Sequence, residues 1–168
     1  MAEPVNVLML CTGNSARSIL AEAILNRVGR GRFRAYSAGS QPRGAPHPGA
    51  IAILAQEGYD TAFARSKSWD EFAGPEAPKM DIVLTLCDSA AAEHCPYWPG
   101  HPMVVHWGLP DPAAEAGEPA VRSAFRQAHD VLCDRMSRLA ALPLETMPPA
   151  ALREALRGLG AVPNGARA

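Results

Sequence analysis

At 168 residues the chain is long enough to bury a core as one domain and too short to require a second. With 48% hydrophobic and 20% charged residues it is not disordered over most of its length, and a formal net charge of -1 gives no general attraction to nucleic acid or an anionic membrane. The N-terminal "MAEPVNVL" lacks a basic segment followed by a long apolar core, and no apolar run approaches the ~18 residues of a membrane span. A cytoplasmic protein without membrane or nucleic-acid partners, and a monomer, is therefore expected. Four cysteines, Cys11, Cys87, Cys95 and Cys133, in such a setting point to reactive or buried thiols rather than a permanent disulfide framework.

In chain order, "VNVLML" (5–10) reads as a buried strand of a parallel sheet. A helix follows from Ser18 and stops at Gly29, and the arginine-rich "RVGRGRFR" (27–34) reads as a solvated helix end and turn. "FRAYSAGS" (33–40) is a second strand, and "HPGAIAILAQEGY" is a second helix carrying Ile51, Leu54 and Ala55 on its inner face. The Pro-rich "FAGPEAPKM" (72–80) is a surface loop, "DIVLTLC" (81–87) a third strand ending in Cys87, and "MVVHW" (103–107) a fourth. A long amphipathic helix over 119–142 places Val121, Phe125, Leu132 and Met136 toward the core, with Cys133 among them.

Alternating strands and helices predict an α/β fold of three layers, a central and mostly parallel four-stranded sheet with helices on both faces. The predicted domain is 1–142. Residues 143–168 form an extension in which "LREALRGLG" is a short surface helix and "AVPNGARA" a frayed tail. Ligands of such sheets bind beyond the carboxyl ends of the strands, where Cys11, Cys87 and the loop with Asp111 all fall.

The stretch "CTGNSARS" (11–18) joins the first strand to the first helix. A loop so placed turns backbone N–H groups toward a common centre, and the helix N-terminus adds positive potential, so the result is an anion cradle. Its lining is Thr12, Gly13, Asn14, Ser15, Ala16, Arg17 and Ser18. The same field favours a nucleophilic thiolate at Cys11. Arg17 closes over the anion with a planar fork that pairs two oxygens, Ser18 can donate to the Cys11 sulfur, and Asn14 can hold the loop through side-chain bonds.

"VLMLCTGNSARSILAEA" resembles the signature of the low-molecular-weight protein tyrosine phosphatase superfamily, which holds phosphotyrosine hydrolases and arsenate reductases built on one cradle. The similarity continues through "YSAGS" (36–40), while "LCDSAAAEHCPYWPGHP" and "HWGLPDP" are similar to the arsenate reductase branch. The resemblance implies a general acid at Asp111 of the Asp-Pro pair. The aromatic residues with which phosphatases of this kind flank a substrate ring are replaced here by "DPAAEAG".

Hydrolysis needs Cys11 alone, whereas reduction of arsenate must draw two electrons from thiols. The position next to the loop arginine, often cysteine in the superfamily, is Ala16. The resemblance therefore implies a relay from Cys11 to Cys87 and on to Cys95, eight residues further, with thioredoxin or glutathione and glutaredoxin as the external thiol reductant. Two alternatives stand beside it: a phosphatase working through a phosphocysteine, and a non-enzymatic oxyanion or thiol redox sensor. A zinc site from Cys87, His94, Cys95, His101 and His106 matches no compact zinc module, and His47 and His129 read as surface or core residues. The reductase branch further implies a potassium ion behind the loop, held by Asn14, Glu22 and Ser37, with no tightly bound organic cofactor.

Overall fold

The computed structural model describes residues 3–87, 98 and 101–161. Four strands, β1 (Val5–Cys11), β2 (Phe33–Gly39), β3 (Ile82–Thr85) and β4 (Met103–His106), form one sheet in the order β2-β1-β3-β4, and every pairing is parallel. The α-helices are α1 (Arg17–Val28), α2 (Pro48–Gln56), α3 (Glu118–Ala140) and α4 (Pro149–Gly160).

The unbroken apolar run of β1 follows from its place inside the sheet, where both faces are covered. Val7 and Met9 join the larger core with α1, α2, α3 and α4, while Leu8 and Leu10 join a smaller one. This period of two is the pleat of the strand. The smaller core is closed by Phe72 of the 3-10 turn Trp69–Phe72, by Met80 and by Trp98, so helical structure lies on both faces of the sheet.

Several sequence expectations shift in detail. β3 ends at Thr85, so Cys87 lies just past the strand rather than on it. The inner face of α2 is Ala50, Ile53 and Leu54, and Ala55 is exposed, because the helix enters at Pro48 one position out of phase with the expected face. Cys133 is only partly buried, although its neighbours Leu132 and Met136 are fully so. The arginines at 27, 30, 32 and 34 are exposed, and Arg27 stacks 3.4 Å over the Tyr59 ring.

Helix α4 packs into the same core as the rest of the fold. Leu156 is fully buried, its carbonyl accepts a 2.7 Å bond from Trp107 Nε1, and Gly160 lies against the Trp107 ring, where a Cβ would come within 2.6 Å of it. Trp107 in turn leads into the loop with Asp111, so the extension braces that loop from behind. Among the described residues no helix is long and apolar enough to cross a membrane.

The chain leaves β1 for β2 on one side and returns to β3 on the other, so the strand order reverses at the β1/β3 boundary. That boundary is where open parallel sheets open a crevice. Removing the α4 anchor should be felt in stability: Leu156→Ala is expected to cost about 3 kcal/mol, read as a lower denaturant midpoint at unchanged m-value, and a wild-type midpoint would show that α4 contributes nothing to the core.

Candidate active site

Cys11 is the last residue of β1, and the following loop is pinned from outside. The carbonyls of Thr12, Gly13 and Ser15 accept from the backbone N–H groups of Gln41, Arg43 and His47 at 2.9, 3.0 and 2.9 Å. Ser66 Oγ donates a second bond to the Gly13 carbonyl at 3.0 Å. In a trans peptide the N–H points opposite to the preceding C=O, so tying these carbonyls outward turns the N–H groups of Gly13, Asn14 and Ala16 toward the concave side. The N-terminus of α1 opens onto the same hollow and adds its partial positive charge.

Close approach makes the pinning possible. A Cβ at Gly39 would sit 2.4 Å from the Thr12 carbonyl oxygen and 2.9 Å from that of Cys11. Only glycine lets the end of β2 lie this near the loop.

Asn14 is the hub. It is fully buried, adopts φ 45°, and uses both ends of its amide: Oδ1 accepts from Lys67 N at 2.8 Å, while Nδ2 donates to Ser18 Oγ at 2.8 Å and Ser37 Oγ at 3.0 Å. Asparagine is among the residues that tolerate this left-handed conformation. Ser18 Oγ accepts from Asn14, and its own proton is available to Cys11 Sγ, 2.9 Å away.

Cys11 and Cys87 are buried thiols packed against one another. The β1/β3 register explains the contact: Leu10 pairs with Thr85, so two residues on Thr12 meets Cys87, and Thr12 Oγ1 lies 3.5 Å from Cys87 Sγ. Cys95 and His94 lie outside the described residues. Among the described residues there is no cluster of three metal-ligating His, Cys, Asp or Glu side chains.

Arg17 reaches across the mouth of the loop. Its Nη1 donates to the Leu109 carbonyl at 3.1 Å and its Nη2 lies 3.6 Å from Asp111 Oδ2. Both groups are partly in solvent, so the pair adds little stability and serves to aim the two side chains. Asp111 Oδ1 caps the turn that follows by accepting from Ala113 N at 3.0 Å, which leaves Oδ2 facing the cavity. Beneath the loop, the buried Arg135 donates to the carbonyls of Trp107 and Gly108 at 3.4 and 3.3 Å. The cavity of about 440 Å³ is bounded by Cys11, the loop, Arg17, Cys87, Asp111 and Ala113. Ala113 lines it, and Gln41 and Arg43 complete the rim.

Sequence reasoning missed Arg43, Lys67, Ser66 and Arg135. Ser66 and Lys67 sit in a polar, aperiodic stretch, "ARSKSWDEF", whose only hint is two serines around a lysine, and solvated loops look the same. Arg135 stands on a helix face otherwise made of core residues, which was a readable signal. Behind the loop Asn14, Glu22 and Ser37 do meet, but Lys67 stands with them, buried and with Nζ 3.8 Å from Glu22 Oε1. Burial pushes the Glu22 carboxyl up and the Lys67 ammonium down, each opposed by the charge of the other.

Such a hollow can deliver a thiolate to the central atom of a tetrahedral oxyanion while its oxygens are held by backbone N–H groups and an arginine fork. The chain matches the low molecular weight phosphotyrosine protein phosphatase family over residues 6–147 and belongs to that family. It is 34% identical over 136 residues to an arsenate reductase of Bacillus licheniformis, covering 80% of this chain and 94% of that one. The arsenate reductase of Bacillus subtilis is likewise 34% identical, over 135 residues, with 80% and 94% covered. The fold superposes on the crystal structure of arsenate reductase from Archaeoglobus fulgidus with a TM-score of 0.64 at 24% identity, covering 81% of this chain and 99% of that one. Helix α4 follows the matched region.

Two results are expected from this geometry. Gly39→Ala should weaken protection of Cys11 from alkylation by phosphate or arsenate, measured by peptide mapping, and full protection would contradict the close approach. Burial pushes the Cys133 thiol up, which leaves less thiolate at neutral pH, so its alkylation by iodoacetamide should be slow at neutral pH and accelerate as the pH rises, and a rate independent of pH would contradict this.

Proposed function

We propose that the protein is an arsenate reductase that carries two electrons from an external thiol reductant to arsenate through Cys11, Cys87 and Cys95. The observation that carries this reading is the Cys87 thiol packed against Cys11 at the floor of the cradle. Hydrolysis of a phosphate ester has no use for a second thiol there. The arsenate reductases at 34% identity support the same choice.

The chemistry follows from the positions. Arsenate enters with its oxygens on the loop N–H groups and the Arg17 fork, and the Cys11 thiolate attacks arsenic. An oxygen leaves as water, taking its proton from Asp111, and a Cys11 sulfur–arsenic bond results. The Cys87 thiolate then attacks Cys11 Sγ. The sulfur–arsenic bond breaks, its electron pair stays on arsenic, and arsenite leaves as As(V) becomes As(III) and a Cys11–Cys87 disulfide forms. Cys95 attacks Cys87 next, which frees Cys11 and passes the disulfide to Cys87–Cys95 for reduction from outside.

Thioredoxin, or glutathione with glutaredoxin, supplies the two electrons. Every group of the cradle comes from one chain, so a monomer suffices. Among the described residues that line the cavity none is aromatic, and small Ala113 stands at its edge, which suits an inorganic oxyanion.

The deciding assay supplies arsenate with each donor system and follows arsenite release alongside NADPH consumption. Turnover with either is expected. Absence of turnover with both, while an aryl phosphate is still cleaved, would overturn the reductase reading in favour of a phosphatase. Cys11→Ser should abolish all activity, and Cys87→Ser should stop arsenite release while sparing any aryl phosphate hydrolysis. Asp111→Asn should lower turnover by about a hundredfold or more, and an unchanged rate would remove Asp111 from the mechanism.

A further inference from the structure

We infer that the Lys67 ammonium is a built-in cation that takes the place of a bound potassium ion behind the oxyanion loop, so that this chain needs no monovalent metal to hold its nucleophile in place. The inference stands whichever oxyanion the cradle accepts.

The oxygens that would ligate a metal are already engaged. Asn14 Oδ1 accepts from Lys67 N at 2.8 Å, and the Asn14 amide nitrogen, not its oxygen, faces Ser37 at 3.0 Å. Ser37 Oγ gives its proton to Glu22 Oε1 at 2.5 Å. Into this pocket the Lys67 side chain brings Nζ, which donates to Ser37 Oγ at 3.3 Å and to the Arg65 carbonyl at 3.1 Å, with Glu22 Oε1 3.8 Å away. A hydroxyl, a carbonyl and a carboxylate are the oxygen types a hard monovalent cation seeks. An ammonium is similar to potassium in size and charge, and here it is tethered, so no ion has to be gathered from solution.

A cation at this point offsets the charge of the Glu22 carboxylate. Glu22 and Lys67 are both buried, 9% and 7% exposed, and a buried carboxylate without a partner is strongly unfavourable. The position also matters for the nucleophile. Ser37, oriented by Lys67 and Glu22, accepts from Asn14, and the same Asn14 nitrogen holds Ser18, whose hydroxyl serves Cys11 Sγ. Lys67 is thus a positioning residue, its ammonium four hydrogen bonds removed from the sulfur. Its backbone acts in parallel: its N–H binds Asn14 and its carbonyl accepts from Gly39 N at 3.0 Å, locking the loop and the end of β2 together.

The test uses the full chain at constant ionic strength in sodium, potassium or ammonium chloride, reading melting temperature and the rate of Cys11 alkylation. The wild type should give the same values in all three salts. Lys67→Ala should melt lower in sodium by on the order of 10 °C and lose Cys11 reactivity roughly tenfold, as for one charge-assisted hydrogen bond. Potassium or ammonium should restore both, since truncation opens the room that the side chain filled. Lys67→Met combined with Glu22→Gln removes both charges and should fold in sodium with no response to any cation. The inference is overturned if potassium activates or stabilises the wild type as much as the variant. It is equally overturned if Lys67→Ala keeps full reactivity in sodium, or if neither potassium nor ammonium rescues it.

Discussion

The site depends on one constraint: the carbonyls of Thr12, Gly13 and Ser15 in the loop after β1 are held away from its centre. A loop of this size has as many carbonyls as N–H groups, and left to itself it would present both to an anion. The strand-end segment from Gly39 to His47 and the hydroxyl of Ser66 remove that ambiguity by satisfying the carbonyls of Thr12, Gly13 and Ser15 from outside. What remains on the inside is donors, a helix N-terminus and the Cys11 sulfur. The cradle is therefore a product of packing against β2 and its sequel as much as of the motif itself.

Asn14 translates that outer scaffold into chemistry at Cys11. It is the point where the backbone turns left-handed, where the 66–68 segment attaches, and where two buried hydroxyls are given their direction. A serine hydroxyl has a single proton, and the Asn14 amide donating to the Ser18 oxygen leaves that proton free for another acceptor. The buried Glu22 and Lys67 pair sits at the far end of the same network. Isolated buried ion pairs are poor sources of stability, so this one is better understood through the orientation it imposes.

The second thiol is brought in by sheet topology. Cys11 and Cys87 lie far apart in sequence, yet parallel pairing of β1 with β3 places Thr12 opposite Cys87 just beyond the strand ends. The same edge receives Asp111 from the loop after β4, held by Arg135 below and by Trp107 against α4. Cys11 with Arg17, Cys87 and Asp111 thus come from three separate segments that share only the carboxyl end of one sheet. A reversal of strand order at β1/β3 is what leaves a hollow there for them to line.

Much of this was readable from the sequence alone. The apolar run before "CTGNSARS" and the amphipathic run after it identify a strand and a helix joined by a tight loop, and the local order of Cys11, Gly13, Asn14, Arg17 and Ser18 states the chemistry of the loop, because helix termini and turns obey short-range rules. That Asp111 and Cys87 fall just past strand ends was likewise legible. Lys67 and Ser66 were not, since a polar loop residue shows its role only when its partners arrive from distant segments. The docking of α4, the phase of α2 and the end of β3 at Thr85 belong to the same class. They are settled by which surfaces meet, and long-range packing overrides the local pattern at each of them. The sequence by itself determined that Cys11 ends a buried strand and opens a tight loop into a helix. Only the tertiary structure decided what holds the cradle's carbonyls outward, which cation lies behind it and which thiol lies against Cys11, because each depends on contacts between segments that no local spacing encodes.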